Sequence, residues 1–505
     1  MDRRPELLPT PVSLRRLLST AQFLGGVDIY AHDAVEHSRM CHPQALFAVI
    51  RGTKVNAATF ITEALTRGVA GLLVDRPLAD VPVTQCVVPD VRRAYSVICA
   101  QLAGSPSSQM DVAGITGTNG KTTVTWMIRA ILQRAGRTAG VLGTVEYADG
   151  FQAESSNLTT PDSRTLQSWL ARMHQRGTKS AAIELSSHAL HQGRAERTRL
   201  RAAVVTNITQ DHFDYHQTFE AYRDSKARVV EMIAPGGILG LNADDPGSWS
   251  LQSLGSTAVP VVSFGVTPMA DISAQILEES RRGTRFRLRL HGSSAECFTT
   301  LIGRHNVSNC LAAALSASHF GVSLENIVAG LEQFRGVPGR MERIDCGQPF
   351  DVFVDYAHTD DALRRCLASV RSLTAGRVLC VFGAGGDRDR SKRPLLGRAA
   401  MAADVAIITS DNPRNEDPQA IIADIAAGMT PSRDRTIIEP DRERAIQQVI
   451  SLARPGDCVI IAGKGHEREQ IVGPEIRPFD DRAIARSVLQ TVLLTPLPFD
   501  HRRSA

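Results

Sequence analysis

No run of about 18 apolar residues occurs in this 505-residue sequence, so it offers no membrane-spanning helix. Nor is there a long basic tract. Lys and Arg number 57 against 53 Asp and Glu, a formal charge of +4, and charge therefore gives no reason to expect nucleic acid as a partner. The N-terminus, MDRRPELLPTPVSLRRLL, lacks the continuous apolar core and small-residue cleavage site of a secretory signal. Among nine cysteines no Cys-x-x-Cys pair is found, and an odd, scattered set reads as reduced buried thiols of a cytoplasmic protein. Low-complexity tracts and fixed-period repeats are absent as well. What remains is ordinary globular material, 43% hydrophobic and 22% charged. Its length calls for roughly two to four domains.

Gly/Ser/Pro-rich stretches divide the chain at QLAGSPSSQ (101–109) and FRGVPGR (334–340), which predicts domains over 1–107, 108–337 and 338–505. Short β-rich apolar runs recur within them: ALFAVI (45–50) and VAGLLV (69–74) first, then SAAIEL (180–185), AAVVTNI (202–208) and GGILGLN (236–242). The last block repeats the pattern with DVFVDYAH (351–358), RVLCVFGAGGD (377–387), DVAIITSDN (404–412) and DCVIIAGKGH (457–466). Strands spaced by helix-length segments predict parallel sheets with crossover helices, hence an α/β chain. The strands of the last block end in polar, Gly-bearing loops, and ligands of open parallel sheets bind outside the carboxyl ends of the strands.

VAGITGTNGKTTVTWMIRAIL (112–132) reads as strand, Gly-rich loop and helix, a phosphate cradle of backbone N–H groups backed by the helix dipole. The loop supplies Gly117, Thr118, Asn119, Gly120, Lys121, Thr122 and Thr123 for a nucleoside triphosphate. Lys121 can reach the terminal phosphates and the Thr122 hydroxyl can ligate Mg²⁺. Ile115 stands where the strict pattern has its first glycine, flanked by Gly114 and Gly117. TSDNPRNEDP (409–418) follows the apolar run Val405–Ile408. In isolation Asp-Asn-Pro is good turn chemistry.

Taken together, GTNGKTT, IELSSHAL (183–190), NITQDHFDYH (207–216), SKAR (225–228), GRHNVSN (303–309), GRMER (339–343), VDYAHTDDAL (354–363), GAGGDRDRSKRP (383–394), SDNPR (410–414) and AGKGHE (462–467) resemble the Mur ligases. These are ATP-dependent amide-forming enzymes of peptidoglycan precursor synthesis. The resemblance runs from 111 to 467 and is to the branch that adds the third amino acid, where DNPR marks the use of meso-diaminopimelate rather than lysine. It implies three domains: a smaller N-terminal α/β domain, a central P-loop ATPase-like parallel-sheet domain and a C-terminal Rossmann-like α/β domain. It also implies ATP and Mg²⁺ as cofactors and UDP-MurNAc-L-Ala-D-Glu and meso-diaminopimelate as substrates. The chain is expected to work as a cytoplasmic monomer, with neither nucleic acid nor membrane as partner, and its domains to close over the substrates.

Residue by residue, the resemblance gives catalytic roles to Lys121, Lys226, His212 and Arg340, the last reaching the γ-phosphate. Asn306 would contact adenine, and Asp355 the ribose or a neighbouring domain. Ser38, Thr159, Thr160, Ser186, Gln192 and Arg194 would cradle the UDP-sugar dipeptide, with Thr53–Val55 also near the uridine diphosphate. Thr122 would hold a first metal ion, and Glu184, His212 and Lys226 as a carbamate a second. Arg388, Asp411, Asn412, Pro413, Arg414, Gly463 and Glu467 would bind meso-diaminopimelate. The residue chemistry agrees: Arg414 presents a planar fork to a carboxylate, Asp411 and Asn412 can take an ammonium, and Pro413 stiffens the loop.

The chain departs from the family's pattern at His37, Asn56-Ala57, Leu158 and Asp360, all away from the phosphate loop. Three other readings stay open. A relative such as folylpolyglutamate synthase would share the phosphate loop but lack DNPR, and a lysine-adding ligase would need another loop at 411–414. A nucleotide-dependent switch or motor would hydrolyse ATP without an amino acid.

Overall fold

The computed structural model describes residues 11–51, 57–209, 211, 213–256, 259–430 and 435–494. The chain divides into two compact units. The first runs to Gln275 and adds Arg287–Cys297 and Val307–Gln333; the second comprises Ile276–Phe286, Phe298–Asn306 and the chain from Phe334.

Two main sheets are built on strands of the first unit, beside a two-stranded pairing of Val12–Ser13 with Tyr30–Ala31. The N-terminal one has five strands in the order Gln22–Leu24, Gln85–Val87, Gly71–Val74, Ala45–Ala48, Asp33–Val35, parallel except for the first. Leu46, Phe47, Leu72 and Leu73 are wholly buried in it. The expected linker at 101–109 contains the end of helix Val91–Leu102 and the short turn Pro106–Gln109. Helix Val91–Leu102 secures the N-terminal sheet to the rest of the unit. Its Arg93 pairs with Glu196 and Glu231, and Ser96 Oγ donates toward Arg194 O and Glu196 O at 3.1 and 3.2 Å. A bidentate pair between Arg164 and Asp33, at 3.0 and 2.8 Å, does the same from another side.

The larger sheet is parallel through its centre, in the order Ala139–Leu142, Ser180–Glu184, Asp111–Thr116, Leu200–Val205, Ile233–Asn242, Val261–Gly265. Both faces are covered, so these strands are almost continuously apolar, as parallel strands must be. Register fixes the site. Ile115 lies opposite Glu184 and Thr116 opposite Val205, which aligns three strand ends at one edge. The sheet continues through Ile272–Ser280, Gly283–Leu290 and Ser293–Thr299, strands for which the sequence reading named no element. The alternation in Arg285–Leu290, arginines exposed and Phe286, Leu288 and Leu290 buried, is the period-2 signal of such a strand.

A six-stranded sheet carries the second unit, in the order Glu342–Arg343, Asp351–Asp355, Cys458–Ala462, Val378–Phe382, Val405–Ile408, Thr436–Ile438, parallel except for the first strand. Pairing of Asp355 with Ala462 and of Phe382 with Ile408 brings the loops after four strands to one edge. Among the described residues no helix is long and apolar enough to cross a membrane, and all nine cysteines are free thiols.

Candidate active site

Strand Asp111–Thr116 delivers the phosphate loop and helix Lys121–Arg134 continues it. Gly117 has φ +143°, and a Cβ there would stand 1.9 Å from Thr206 Oγ1, so the loop needs glycine at this point. The next strand's loop pins it. Asn207 accepts from Asn119 N–H at 2.9 Å and donates to Asn119 O at 3.1 Å, and Thr206 Oγ1 donates to the same carbonyl at 2.6 Å. Lys121 Nζ arches back over the loop, donating to Gly117 O and Thr118 O, both at 2.9 Å.

Beneath the loop, Thr122 donates its hydroxyl to the fully buried Glu184 carboxylate at 2.9 Å. Thr144 supplies two more donors to Glu184, its N–H at 2.8 Å and its hydroxyl at 2.9 Å. Lys226 is buried too, with Nζ 2.7 Å from Gly117 O and 4.5 Å from the Tyr222 ring centroid. Burial, and then repulsion by Lys121, holds the Lys226 ammonium well below its usual pKa, and the Asp211 charge offsets this only in part. His212 lies outside the described residues, as does Thr53–Val55. Among the described residues no group of three or more His, Cys, Asp or Glu could hold a metal ion.

A polar chain extends from Glu184. Thr144 Oγ1, its proton given to Glu184, accepts from Thr159 Oγ1 at 3.1 Å, and Thr160 Oγ1 donates to Glu184 O at 2.7 Å while accepting Ser186 N–H at 2.9 Å. Arg194 reaches Thr160 O at 3.2 Å and Gln192 Oε1 at 2.9 Å, and Gln192 donates to Tyr215 Oη at 3.2 Å. Five of the six expected dipeptide contacts are thus contiguous. Ser38 stands apart from these bonds, donating to Glu63 at 2.6 Å. Glu36 belongs to the cluster unforeseen: burial and then the Asp162 charge push its carboxyl above the usual range, with His37 and Arg194 opposing.

In the second unit the DNPR loop is tightly held. Asp411, Asn412 and Pro413 are buried, and Arg414 takes φ +51°. Arg414 exchanges backbone bonds with the strand Glu469–Val472 and its turn: its N–H donates to Ile471 O at 3.0 Å, and Gly473 N–H donates to its carbonyl at 2.6 Å. Its guanidinium donates to Gly386 O at 2.7 Å. Asn412 Nδ2 donates to Glu467 Oε2 at 2.8 Å, so part of its amide is spent inside the protein. Gly463 has φ +118°, and a Cβ there would come 2.6 Å from Asp411 Oδ2. Arg388 is exposed on the adjoining 383–388 loop. Behind the site Arg442 forms a wholly buried bidentate pair with Asp481 and donates to Ala462 O at 2.9 Å. At the start of the same unit, Asp355 accepts the N–H groups of Met341 and Ala357 at 2.7 and 2.8 Å. Burial raises its pKa, with the Arg340 charge opposing. Arg340 lies over Tyr356, 4.4 Å from the ring centroid, and its Nε is buried without a hydrogen-bond partner among the described residues. Asn306 donates to Ile302 O at 2.9 Å.

Two family signatures match, the Mur ligase middle domain over residues 115–317 and the Mur ligase glutamate ligase domain over 339–465. The sequence is 42% identical, over 92% of this chain and 96% of the relative, to a UDP-N-acetylmuramoyl-L-alanyl-D-glutamate--2,6-diaminopimelate ligase of Geobacillus kaustophilus. The chain belongs to the Mur ligase family.

A solved ligase of the same description superposes with a TM-score of 0.69 at 30% identity, covering 96% of this chain and 100% of that one. The fold also matches a MurF ligase from Thermotoga maritima in complex with ADP, TM-score 0.61 at 15% identity over 91% of this chain and 96% of that one. Mur ligases are ATP-dependent, and the phosphate loop of this one is the element that suits a nucleotide. The Thr122–Glu184 pair fits Mg²⁺ as well, since a buried hydroxyl and carboxylate 2.9 Å apart are hard oxygen donors. Lys226 as an ammonium would repel the ion. The unprotonated amine that burial favours is the form that takes up carbon dioxide as a carbamate.

Sequence reasoning missed Thr144, Glu36, Lys464 and the Arg442–Asp481 pair. Thr144 and Glu36 lie in short irregular stretches with no motif. Arg442 and Asp481 stand 39 residues apart, a separation that carries no local signal.

Proposed function

We propose that the protein joins meso-diaminopimelate to UDP-N-acetylmuramoyl-L-alanyl-D-glutamate at the expense of ATP, in the cytoplasm, during peptidoglycan precursor synthesis. The observation that carries this is the DNPR loop, Asp411 to Arg414, in a chain 42% identical over 92% of its length to a ligase of that description. The glutamyl carboxylate attacks the γ-phosphate of ATP to give an acyl phosphate and ADP. An amine of diaminopimelate then adds to the acyl carbon, and the tetrahedral intermediate collapses to amide and phosphate.

The protein's part is positioning and charge neutralisation. With the Thr118 and Asn119 N–H groups engaged by Asn207, the backbone N–H groups of residues 120–122 hold the phosphates, and Lys121 leaves its own loop carbonyls to neutralise them. Thr122 would hold one Mg²⁺ ion and Glu184, His212 and carbamylated Lys226 a second, and these ions would supply further charge stabilisation when bound. Thr159, Thr160, Ser186, Gln192 and Arg194 orient the dipeptide so that its glutamyl carboxylate reaches the phosphate. Asp411 and Glu467 accept the distal ammonium of diaminopimelate, and Arg414 and Arg388 its carboxylate. Arg340, with a donor left over, serves the transferred phosphoryl group.

The test is product identification. ATP, the UDP-muramoyl dipeptide and meso-diaminopimelate incubated with the protein should give a UDP-tripeptide by mass spectrometry, with one phosphate released per amide. Phosphate release without any amide product would overturn the proposal and favour a nucleotide switch.

A further inference from the structure

Lys464 is completely buried, and no role for it follows from phosphate, dipeptide or diaminopimelate binding. A buried ammonium is costly unless each of its protons is satisfied. Here all three are. Nζ donates to Asn412 Oδ1 at 3.0 Å, to Glu467 Oε2 at 3.1 Å and to Glu469 O at 2.6 Å. Two of these acceptors belong to side chains assigned above to diaminopimelate, and the third opens the strand against which Arg414 pairs.

We propose that Lys464 is the positioning residue that presets Asn412 and Glu467 for diaminopimelate, an inference that rests on the function proposed above. Asn412 Oδ1 accepts from both Lys464 and the Ile471 N–H, the latter at 3.0 Å, so its amide cannot flip. Its Nδ2 is then compelled to face Glu467 Oε2, at 2.8 Å. Glu467 Oε2 thereby receives two donors, while Oε1 takes no bond among the described residues and the side chain stays 31% exposed. One carboxylate oxygen is anchored and the other is left for a substrate ammonium. Lys464 itself touches no substrate; it acts through these two residues. Pre-set side chains bind more tightly because little ordering is left for the ligand to impose.

The experiment uses the full-length enzyme, measuring diaminopimelate-dependent phosphate release for wild type, Lys464→Met, Lys464→Gln, Glu467→Gln and the Lys464→Met/Glu467→Gln double variant. Lys464→Met should raise KM for diaminopimelate about 10–100-fold, the usual cost of a misplaced contact, and leave KM for ATP within about twofold. Lys464→Gln, which keeps one donor for Asn412, should fall between. The double variant should raise KM for diaminopimelate by clearly less than the product of the two single effects, since Lys464 acts in part through Glu467 and such residues are not additive. An unchanged KM for diaminopimelate with reduced kcat or melting temperature would assign Lys464 to scaffolding and overturn the proposal. So would multiplicative effects in the double variant. If Lys464→Met does not fold, Lys464→Gln is judged by the same criteria. Wild-type phosphate release indifferent to diaminopimelate would instead overturn the function on which the inference rests.

Discussion

Replacing Asp481 with alanine leaves the Arg442 guanidinium charged in a site where neither partner is exposed to solvent. The wild-type pair is bidentate, at 2.8 and 2.7 Å, and Arg442 Nη1 already lacks a partner among the described residues. Burial lowers the arginine pKa, but the Asp481 charge more than reverses this, so Arg442 stays protonated and cannot escape by neutralising. Breaking a buried pair from one side costs about 3–5 kcal/mol. At about 2–4 °C per kcal/mol for a unit of this size, the unfolding midpoint should fall by about 6–20 °C. Thermal unfolding by circular dichroism gives the shift, and hydrogen exchange over strand Cys458–Ala462 shows whether the loss lies where Arg442 bonds Ala462 O. Arg442→Met/Asp481→Leu, which removes both charges, should recover stability to within about 1–2 kcal/mol of wild type. An Asp481→Ala loss under about 1 kcal/mol, or a double variant as unstable as the single, would refute the argument.

Other outcomes follow from the same structure. Hydrogen bonds from Arg393 and then Arg390 push the Glu416 carboxyl down to about 2. A carboxylate with a depressed folded pKa stabilises above its unfolded value of 4.5 and loses that contribution as pH falls toward about 2. Glu416→Gln should therefore lower stability at neutral pH and flatten the acid limb between those values, measured by denaturant titration across pH; an unaltered limb would contradict the assignment. Gly117→Ala places a methyl group 1.9 Å from Thr206 Oγ1. Backbone strain of about 1–3 kcal/mol should raise KM for ATP at least about fivefold, and an unchanged KM would show that the loop can yield.

The sequence was most legible where chemistry is local. The phosphate loop, the strand runs before residues 117, 383, 409 and 463, and DNPR are contiguous strings whose spacing fixes strand, loop and helix. Parallel register then aligned their ends, as pairings such as Ile115 with Glu184 and Phe382 with Ile408 demonstrate. What stayed hidden is non-local. Thr144 reaches Glu184 from 40 residues away, Lys464 reaches Asn412 from 52, and Arg442 meets Asp481 across 39. Nothing in the flanking residues of either partner announces such a bond. The strands from Ile272 to Thr299 are a different case, because the arginine alternation in 285–289 is a local period-2 signal that the sequence does carry. Asn412 shows the limit of motif transfer: its amide reads as suited to a substrate ammonium, whereas the structure engages it with Lys464, Ile471 and Glu467.

The central claim is that the 411–414 loop reads the second carboxylate of the amino-acid substrate. Its most direct test is kcat/KM for meso-diaminopimelate against L-lysine, in wild type and in Arg414→Ala, with ATP and the UDP-muramoyl dipeptide saturating. A site built to pair a carboxylate rejects an analogue lacking it, so the wild-type ratio should be at least about a hundredfold and should collapse toward unity in the variant. Equal rates with both amino acids in the wild type, or a ratio untouched by Arg414→Ala, would contradict the account.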